Sequence, residues 1–246
     1  MAKIIVIGGS GNIGSRVVEK LRAHGHDVVA ASRQNGIDAY TGIGLAEILA
    51  GADVVVDTTQ APSFDAEVVR DYFTTSTAHL LAAEKAAGVG HHVALTIVGT
   101  DRPQDITYFH GKAAQEALIR ESGIPFTLVH ATQFFDFAAA LAIGAEGDEI
   151  RVSDAMIQPI AADDVATGIA RAAVGSPGGD IEIAGPEAFP IADFVQDWLV
   201  TKGDDRTVVA SPDGTYFGAV IPERALLPVE GAQIFSATYA EWLKTQ

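Results

Sequence analysis

The sequence predicts a doubly wound α/β fold, a mainly parallel sheet covered by helices on both faces, with a small C-terminal lobe. Three observations carry this prediction. Short apolar runs alternate with longer stretches of helical periodicity up to about residue 130, and strands joined by helical crossovers pair in parallel. The short runs are apolar throughout rather than alternating, as strands buried on both faces require. A glycine-rich segment stands between the first run and the first helix.

Ile4 to Ile7 reads as a buried strand. Ile13, Val17, Val18 and Leu21 then recur at helical spacing, and Gly25 stands where a C-cap belongs. Val28 to Ala31 is the next strand, and Val54 to Val56 follows a short helical stretch around Leu45 to Leu49. A long helical pattern runs from Glu67 to Ala87. Strand Val93 to Val98, helix Lys112 to Arg120 and strand Phe126 to Val129 complete the alternation. Beyond that point the pattern loosens, with turn signals at Gly144 to Gly147, Ser176 to Gly179 and Ser211 to Gly214. No Gly/Ser-rich linker intervenes. Residues 1–246 therefore read as a single domain, with a core over about 1–130 and a substrate-side lobe over about 131–246.

With 48% hydrophobic and 20% charged residues, the chain can build a large core. Asp and Glu number 32 against 16 Lys and Arg, a net charge of −16. Such a balance argues against a nucleic-acid partner, which needs a basic footprint, and against an anionic membrane surface. An anionic ligand must be held by local donors against the overall field. The absence of cysteine excludes disulfides, Cys-ligated metals and a thiol nucleophile, and is compatible with a cytoplasmic setting. The first apolar run is too short for a signal peptide, and none approaches the ~18 apolar residues of a membrane span. The seven histidines form no metal pattern: His24 and His26 flank a turn, and the adjacent His91 and His92 must point different ways. No HExxH, Walker or Gly-x-Ser-x-Gly element occurs.

Gly8, Gly9, Ser10, Gly11, Asn12, Ile13 and Gly14 lie between the first strand and the first helix. Glycines there permit a tight turn, close approach of a pyrophosphate and close helix–strand packing, while the helix N-terminus offers free N–H donors. The segment points to a bound dinucleotide. An NAD-specific site places an acid at the end of the second strand. This chain has Ser32 and Arg33 instead, a hydroxyl and a guanidinium suited to a 2′-phosphate. NADP(H) is the preferred cofactor and NAD(H) a possible one, with Asp38 as a rival contact to the adenine or a ribose hydroxyl. Thr58, Thr59 and Gln60, after the third long strand, are placed to line the cofactor.

Tyr108 and Lys112 are four residues apart and share a helix face. The ammonium and an oxidised nicotinamide would both favour phenolate, lowering a pKa normally near ~10. Such a tyrosine can give a proton to a carbonyl oxygen and take it back in reverse. Thr96 lies upstream on the neighbouring strand, where its hydroxyl could hold the same oxygen, with Thr100 as the local alternative. Together with the glycine loop, this set resembles the short-chain dehydrogenase/reductase superfamily, and more closely its atypical, NmrA-like NAD(P)H-binding branch. The likeness extends to Ile124 to Phe135, similar to that branch's strand into the substrate pocket, and to Pro159 to Ala166, similar to its return strand and helix.

The resemblance implies an NADP(H)-dependent oxidoreductase, with Tyr108 as acid/base, Lys112 also bonding the nicotinamide ribose, and Thr96 in the family's serine role. Members that bind dinucleotide without turnover act as redox sensors, often lacking the tyrosine; a redox-neutral epimerase or lyase is the third reading. Gln133 and Phe134, after the Phe126 to Val129 strand, are candidate substrate contacts. Phe135 can join the pocket wall, and Phe137 is expected in the core. Asp163 reads as a helix cap and Asp101-Arg102 as a loop-ordering or surface pair. The expected partner is a small, uncharged or weakly polar substrate such as a carbonyl or quinone, with oligomeric state left open.

Overall fold

The computed structural model describes residues 2–102, 105–143 and 147–246. Most of the turn expected at Gly144 to Gly147 lies outside them. In chain order the elements are β1 (Lys3–Ile7), α1 (Asn12–Ala23), β2 (Asp27–Ala31), α2 (Leu45–Ile48), β3 (Val54–Asp57), α3 (Ala66–Ala87) and β4 (His91–Ile97). Then come α4 (Thr107–Glu121), β5 (Phe126–Ala131), α5 (Phe137–Ala142), β6 (Glu149–Ser153), β7 (Met156–Ile157) and α6 (Ala162–Val174). The last are β8 (Gly179–Ala184), β9 (Phe189–Pro190), α7 (Ile191–Lys202), β10 (Thr207–Ser211), β11 (Gln233–Ile234) and α8 (Tyr239–Leu243).

Seven strands form one sheet in the order β11-β8-β5-β4-β3-β1-β2, the doubly wound arrangement that the alternation predicts. β1 pairs in parallel with β2 on one side and β3 on the other, Ile7 standing level with both Ala31 and Asp57. The strand order therefore reverses at β1, and the carboxyl ends of β1, β2 and β3 finish together. That is where a doubly wound sheet opens a crevice for ligands. Ile4, Ile5 and Val6 are fully buried, as a central strand covered on both faces must be.

Two elements begin earlier than periodicity suggests. α4 starts at Thr107, not Lys112, with Phe109 buried in its first turn, and its inner face further along carries Lys112, Gln115 and Glu116, all buried polar residues that break the apolar rhythm. Gly111 faces α3 so closely that a Cβ would lie 2.5 Å from Val69. β4 starts at His91, and His91 and His92, both buried, each make a side-chain hydrogen bond. His91 Nε2 meets Thr127 Oγ1 at 2.9 Å, and His92 Nδ1 meets Glu84 Oε1 at 2.8 Å.

The chain forms two compact units. The first comprises Met1–Thr96, Thr107–His130 and Val165–Ile181; the second comprises Ile97–Ile106, Ala131–Asp164 and Glu182–Gln246. In the second unit β6 pairs with β10 in parallel and β7 with β9 antiparallel. Tyr239 is buried there, its ring tilted against Phe194 at 4.6 Å and its hydroxyl donating to the Phe194 carbonyl. Arg102 does not pair with its neighbour Asp101. Its guanidinium donates to the carbonyls of Arg224, Ala225 and Leu227 and pairs with Glu182. Asp163 is not a cap but sits within the first turn of α6, where its charge complements the helix dipole.

Candidate functional site

The glycine segment joins β1 to α1. Gly14 is pressed onto the turn: a Cβ there would lie 2.2 Å from the Gly8 carbonyl oxygen and 2.7 Å from Thr58 Oγ1. α1 opens at Gly11 with no side-chain cap and no acidic residue in its first turn, and Ser10, Gly11 and Asn12 are exposed. In a chain of net charge −16, an acid-free, uncapped helix start leaves a locally positive end with unsatisfied N–H groups. These residues fit a pyrophosphate.

Ser32 and Arg33 follow β2 directly. Ser32 opens a 3-10 turn (Arg33–Asn35), its backbone N–H donating to Asn35 Oδ1 at 2.7 Å while Asn35 Nδ2 donates to the Ala30 carbonyl at 2.6 Å. The turn holds Arg33 exposed at the strand's end. Asp38 is held differently: its carboxylate accepts the Tyr40 N–H at 2.9 Å. Across the crevice, the half-buried Thr58 donates its hydroxyl to the Ile7 carbonyl at 2.9 Å and so ties β3 to β1. Thr59 Oγ1 is buried without a hydrogen bond of good geometry, its polar neighbour being the Tyr72 hydroxyl. Such an orphan is the kind that a bound group satisfies.

Tyr108 and Lys112 lie on α4 as expected, but in different environments. The Tyr108 ring is half-buried between Phe64 and Phe73, each 5.6 Å away. Burial, then the charges of Tyr72 and Asp57, raise its pKa above the ordinary 10.0, against a backbone hydrogen bond from Ala61. Lys112 is not among the groups that lower it. Lys112 is buried and donates to the Leu95 carbonyl and to Gln115 Oε1, both at 2.8 Å, with its Nζ 4.4 Å from the centre of the Phe73 ring. Gln115 Nε2 in turn donates to Asp57 Oδ2 at 2.9 Å, and Asp57 Oδ1 accepts the Thr59 N–H at 2.8 Å. Burial pulls Lys112 down to about 8 against the opposing charges of Asp57 and Glu116. Its charge is thus answered inside the protein by Asp57.

Thr96 is also placed otherwise than expected. It is buried and donates its hydroxyl to Glu116 on α4. Glu116 also lies 3.3 Å from Arg120 and 3.8 Å from His130, and Asp180 accepts from both Arg120 and His130. The hydroxyl belongs to this charged cluster rather than to a substrate oxygen. Thr100, the alternative, lies in the second unit and is buried.

In the second unit Gln133 is 3% exposed, and neither its Oε1 nor its Nε2 has a hydrogen-bond partner. Thr132 beside it is orphaned at Oγ1. A buried carboxamide with both atoms unpaired costs several kcal/mol, about 1–3 for each group, unless a ligand or water completes it. Phe134 is half-buried and packs edge-on against Phe137 at 6.2 Å. Phe135 is core, against Tyr239 at 5.3 Å and Trp242 at 5.7 Å. Phe137 is half-buried rather than core, and packs on Phe217 at 5.9 Å.

Sequence reasoning missed Asp57, Gln115 and Glu116. An acid closing an otherwise all-valine strand was the available signal for Asp57. Gln115 and Glu116 gave none, since polar residues on a helix ordinarily face solvent. Among the described residues no group of three or more His, Asp or Glu could hold a metal ion. No helix among them is long and apolar enough to cross a membrane.

The model of the NAD(P)H-binding family matches residues 8–174. The chain belongs to that family. NADP(H) or NAD(H) is the cofactor that fits. No curated protein matches in sequence. Among solved structures, the Bordetella bronchiseptica enzyme WbmH in complex with NAD+ is similar with a TM-score of 0.70 at 17% identity, over 99% of this chain and 96% of that one. A dTDP-4-dehydrorhamnose reductase from Bacillus anthracis in complex with NADP gives 0.68 at 14% identity, over 98% and 92%. Triphenylmethane reductase from Citrobacter sp. gives 0.67 at 18% identity, over 85% and 78%. At these identities the likeness is one of fold.

Proposed function

We propose that this protein is an NADP(H)-dependent oxidoreductase acting on a small, uncharged carbonyl or quinone-like compound. The observation that carries the reading is the glycine cradle at the β1–β3 crevice, an uncapped, acid-free helix start with Arg33 at the end of the adjoining strand. Its glycines and N–H groups hold the pyrophosphate, and Arg33 with Ser32 receives the 2′-phosphate. When bound, the cofactor supplies the hydride. Thr59, with its buried unsatisfied hydroxyl, completes the cofactor's polar contacts.

Tyr108 serves as proton donor. As a phenol at neutral pH it can give a proton to the nascent alkoxide in reduction. Lys112 acts by structure: it anchors α4 to β4 and, through Gln115 and Asp57, fixes the Thr59 backbone. Gln133 and Phe134 contact the substrate, the carboxamide pairing with a neutral polar group.

The experiment compares NADPH and NADH oxidation against aldehydes, ketones and quinones, in wild type and Tyr108→Phe. The expected result is a preference for NADPH and a loss of ketone turnover of about a hundredfold or more in the variant, with NADPH affinity unchanged. Unchanged ketone turnover in Tyr108→Phe removes the tyrosine from the mechanism. Equal use of NADH removes the role of Arg33.

A further inference from the structure

β2 stands at one edge of the seven-stranded sheet, beside β1, so in that sheet one side of its backbone has no strand partner. Successive carbonyls of a strand point to opposite sides. The Ala31 carbonyl faces β1 and accepts from the N–H groups of Gly8 and Gly9, at 2.9 and 3.1 Å. It joins the end of β2 to the glycine cradle, and Gly9 lies so close that a Cβ would stand 2.8 Å from Ala30 Cα. The Ala30 carbonyl faces the open edge. A side chain answers it there, Asn35 Nδ2 donating at 2.6 Å.

The same carboxamide grips the turn beyond the strand. Its Oδ1 accepts the Ser32 backbone N–H at 2.7 Å. The Asn35 N–H returns to the Ser32 carbonyl at 3.1 Å, and the Gly36 N–H to the Arg33 carbonyl at 3.2 Å. Gly36 then leaves the turn with φ +83°, which glycine adopts without strain. One carboxamide therefore ties the turn that carries Arg33 to the strand end that abuts the cradle, while Arg33 itself is exposed. The position needs a donor and an acceptor on the same carbon. Aspartate supplies the acceptor for Ser32 but no donor for Ala30, and alanine supplies neither.

We propose that Asn35 is a positioning residue for cofactor selection: its carboxamide fixes the backbone that presents Arg33 to a 2′-phosphate, and NADP(H) is chosen over NAD(H) only while that carboxamide is in place. The inference rests on the NADP(H) reading of Arg33 and adds the group on which it depends. The physical basis is pre-organisation. A guanidinium that pairs with phosphate already gives up rotamer freedom. Were its backbone also to be ordered on binding, less of the charge-assisted bond would remain as affinity. A carboxylate at position 35 acts in a second way, by adding a negative charge beside the 2′-phosphate.

The test titrates NADPH and NADH, which differ only in the 2′-phosphate, into the full chain, read by cofactor fluorescence with no substrate present. The proteins are wild type, Asn35→Ala, Asn35→Asp, Arg33→Ala and the double variant Arg33→Ala/Asn35→Ala, with thermal melts alongside. Wild type is expected to bind NADPH at least about tenfold more tightly than NADH, the size of a charge-assisted bond to phosphate. Asn35→Ala should lose about fivefold or more of that preference, the cost of ordering what was held before. The loss should fall on NADPH, with NADH affinity within about twofold of wild type, and Asn35→Asp should lose more. The double variant should fall no lower than Arg33→Ala, because Asn35 acts through Arg33. Losses that add in the double variant overturn the proposal, since Asn35 then acts without Arg33. So does an Asn35→Ala protein that melts at a lower temperature with its NADPH preference intact, the mark of a residue that only braces the turn. A wild type without preference for NADPH removes the 2′-phosphate role of Arg33 and this inference with it. A preference that survives Asn35→Ala removes the inference alone and leaves that role standing.

Discussion

Lys112 commits two of its hydrogen-bond donors inside the protein, to Leu95 and Gln115, and faces the Phe73 ring. A charged lysine so enclosed is held against its desolvation by the opposite charge of Asp57, relayed through one amide. Removing one member of a buried pair leaves the other uncompensated. The depressed pKa fixes a sign for pH dependence. The unfolded chain keeps the lysine proton up to about 10.5, whereas the folded protein releases it near about 8. Between those values the unfolded state binds more protons, so this group makes stability rise with pH. In urea melts at pH 7.5 to 10, Lys112→Met should lack that rise relative to wild type. A parallel pH profile in the two proteins contradicts the placement of Lys112. The Tyr-x-x-x-Lys spacing is legible in the sequence, but the pairing of the lysine with Asp57 depends on residues far apart along the chain.

At the scale of elements, α4 is held to the sheet by two polar groups on successive turns. Lys112 and Gln115 reach Leu95 and Asp57; Glu116 reaches Thr96, with His130, Arg120 and Asp180 around it. Thr96 therefore contributes to helix docking. Thr96→Val should lower stability by about 1–3 kcal/mol, the cost of a buried carboxylate losing a donor, seen as a shifted urea midpoint. KM and kcat for a ketone should stay within about twofold, since general acid and cofactor contacts are untouched. A loss of about a hundredfold, the size that a positioned proton donor contributes, would return Thr96 to the substrate. The element boundaries show why this was illegible. Apolar periodicity finds β1, β2 and α3 to within a residue or two because their buried residues are mainly apolar. It misses the start of β4, whose first buried residues are His91 and His92, and the first turn of α4, where Phe109 is buried alone.

For the whole molecule, the net charge of −16 sets the long-range field. It repels an anionic dinucleotide at a distance, while the acid-free start of α1 and Arg33 attract it at contact. Salt screens the long-range part over a Debye length of about 10 Å at 0.1 M. The association rate for NADPH, by stopped-flow fluorescence, should therefore rise between about 10 and 150 mM ionic strength. A falling rate would mean that a local basic field governs encounter.

The sequence by itself determined the doubly wound sheet, the position of the glycine cradle at the end of β1 and the absence of an acid after β2. Each is a local matter, set by apolar periodicity, by glycine at a turn or by which residue ends a strand. Only the tertiary structure decided what the polar side chains do. It turned Thr58 into a tie between strands, Thr96 into a helix anchor and Lys112 into the partner of Asp57, and it buried the Tyr108 ring between Phe64 and Phe73. It also brought Phe217 to the end of an aromatic row begun some eighty positions earlier at Phe134. The reason is the same throughout: burial makes an unpaired polar group costly, and which partner is within reach is fixed by packing between segments that sequence spacing does not relate.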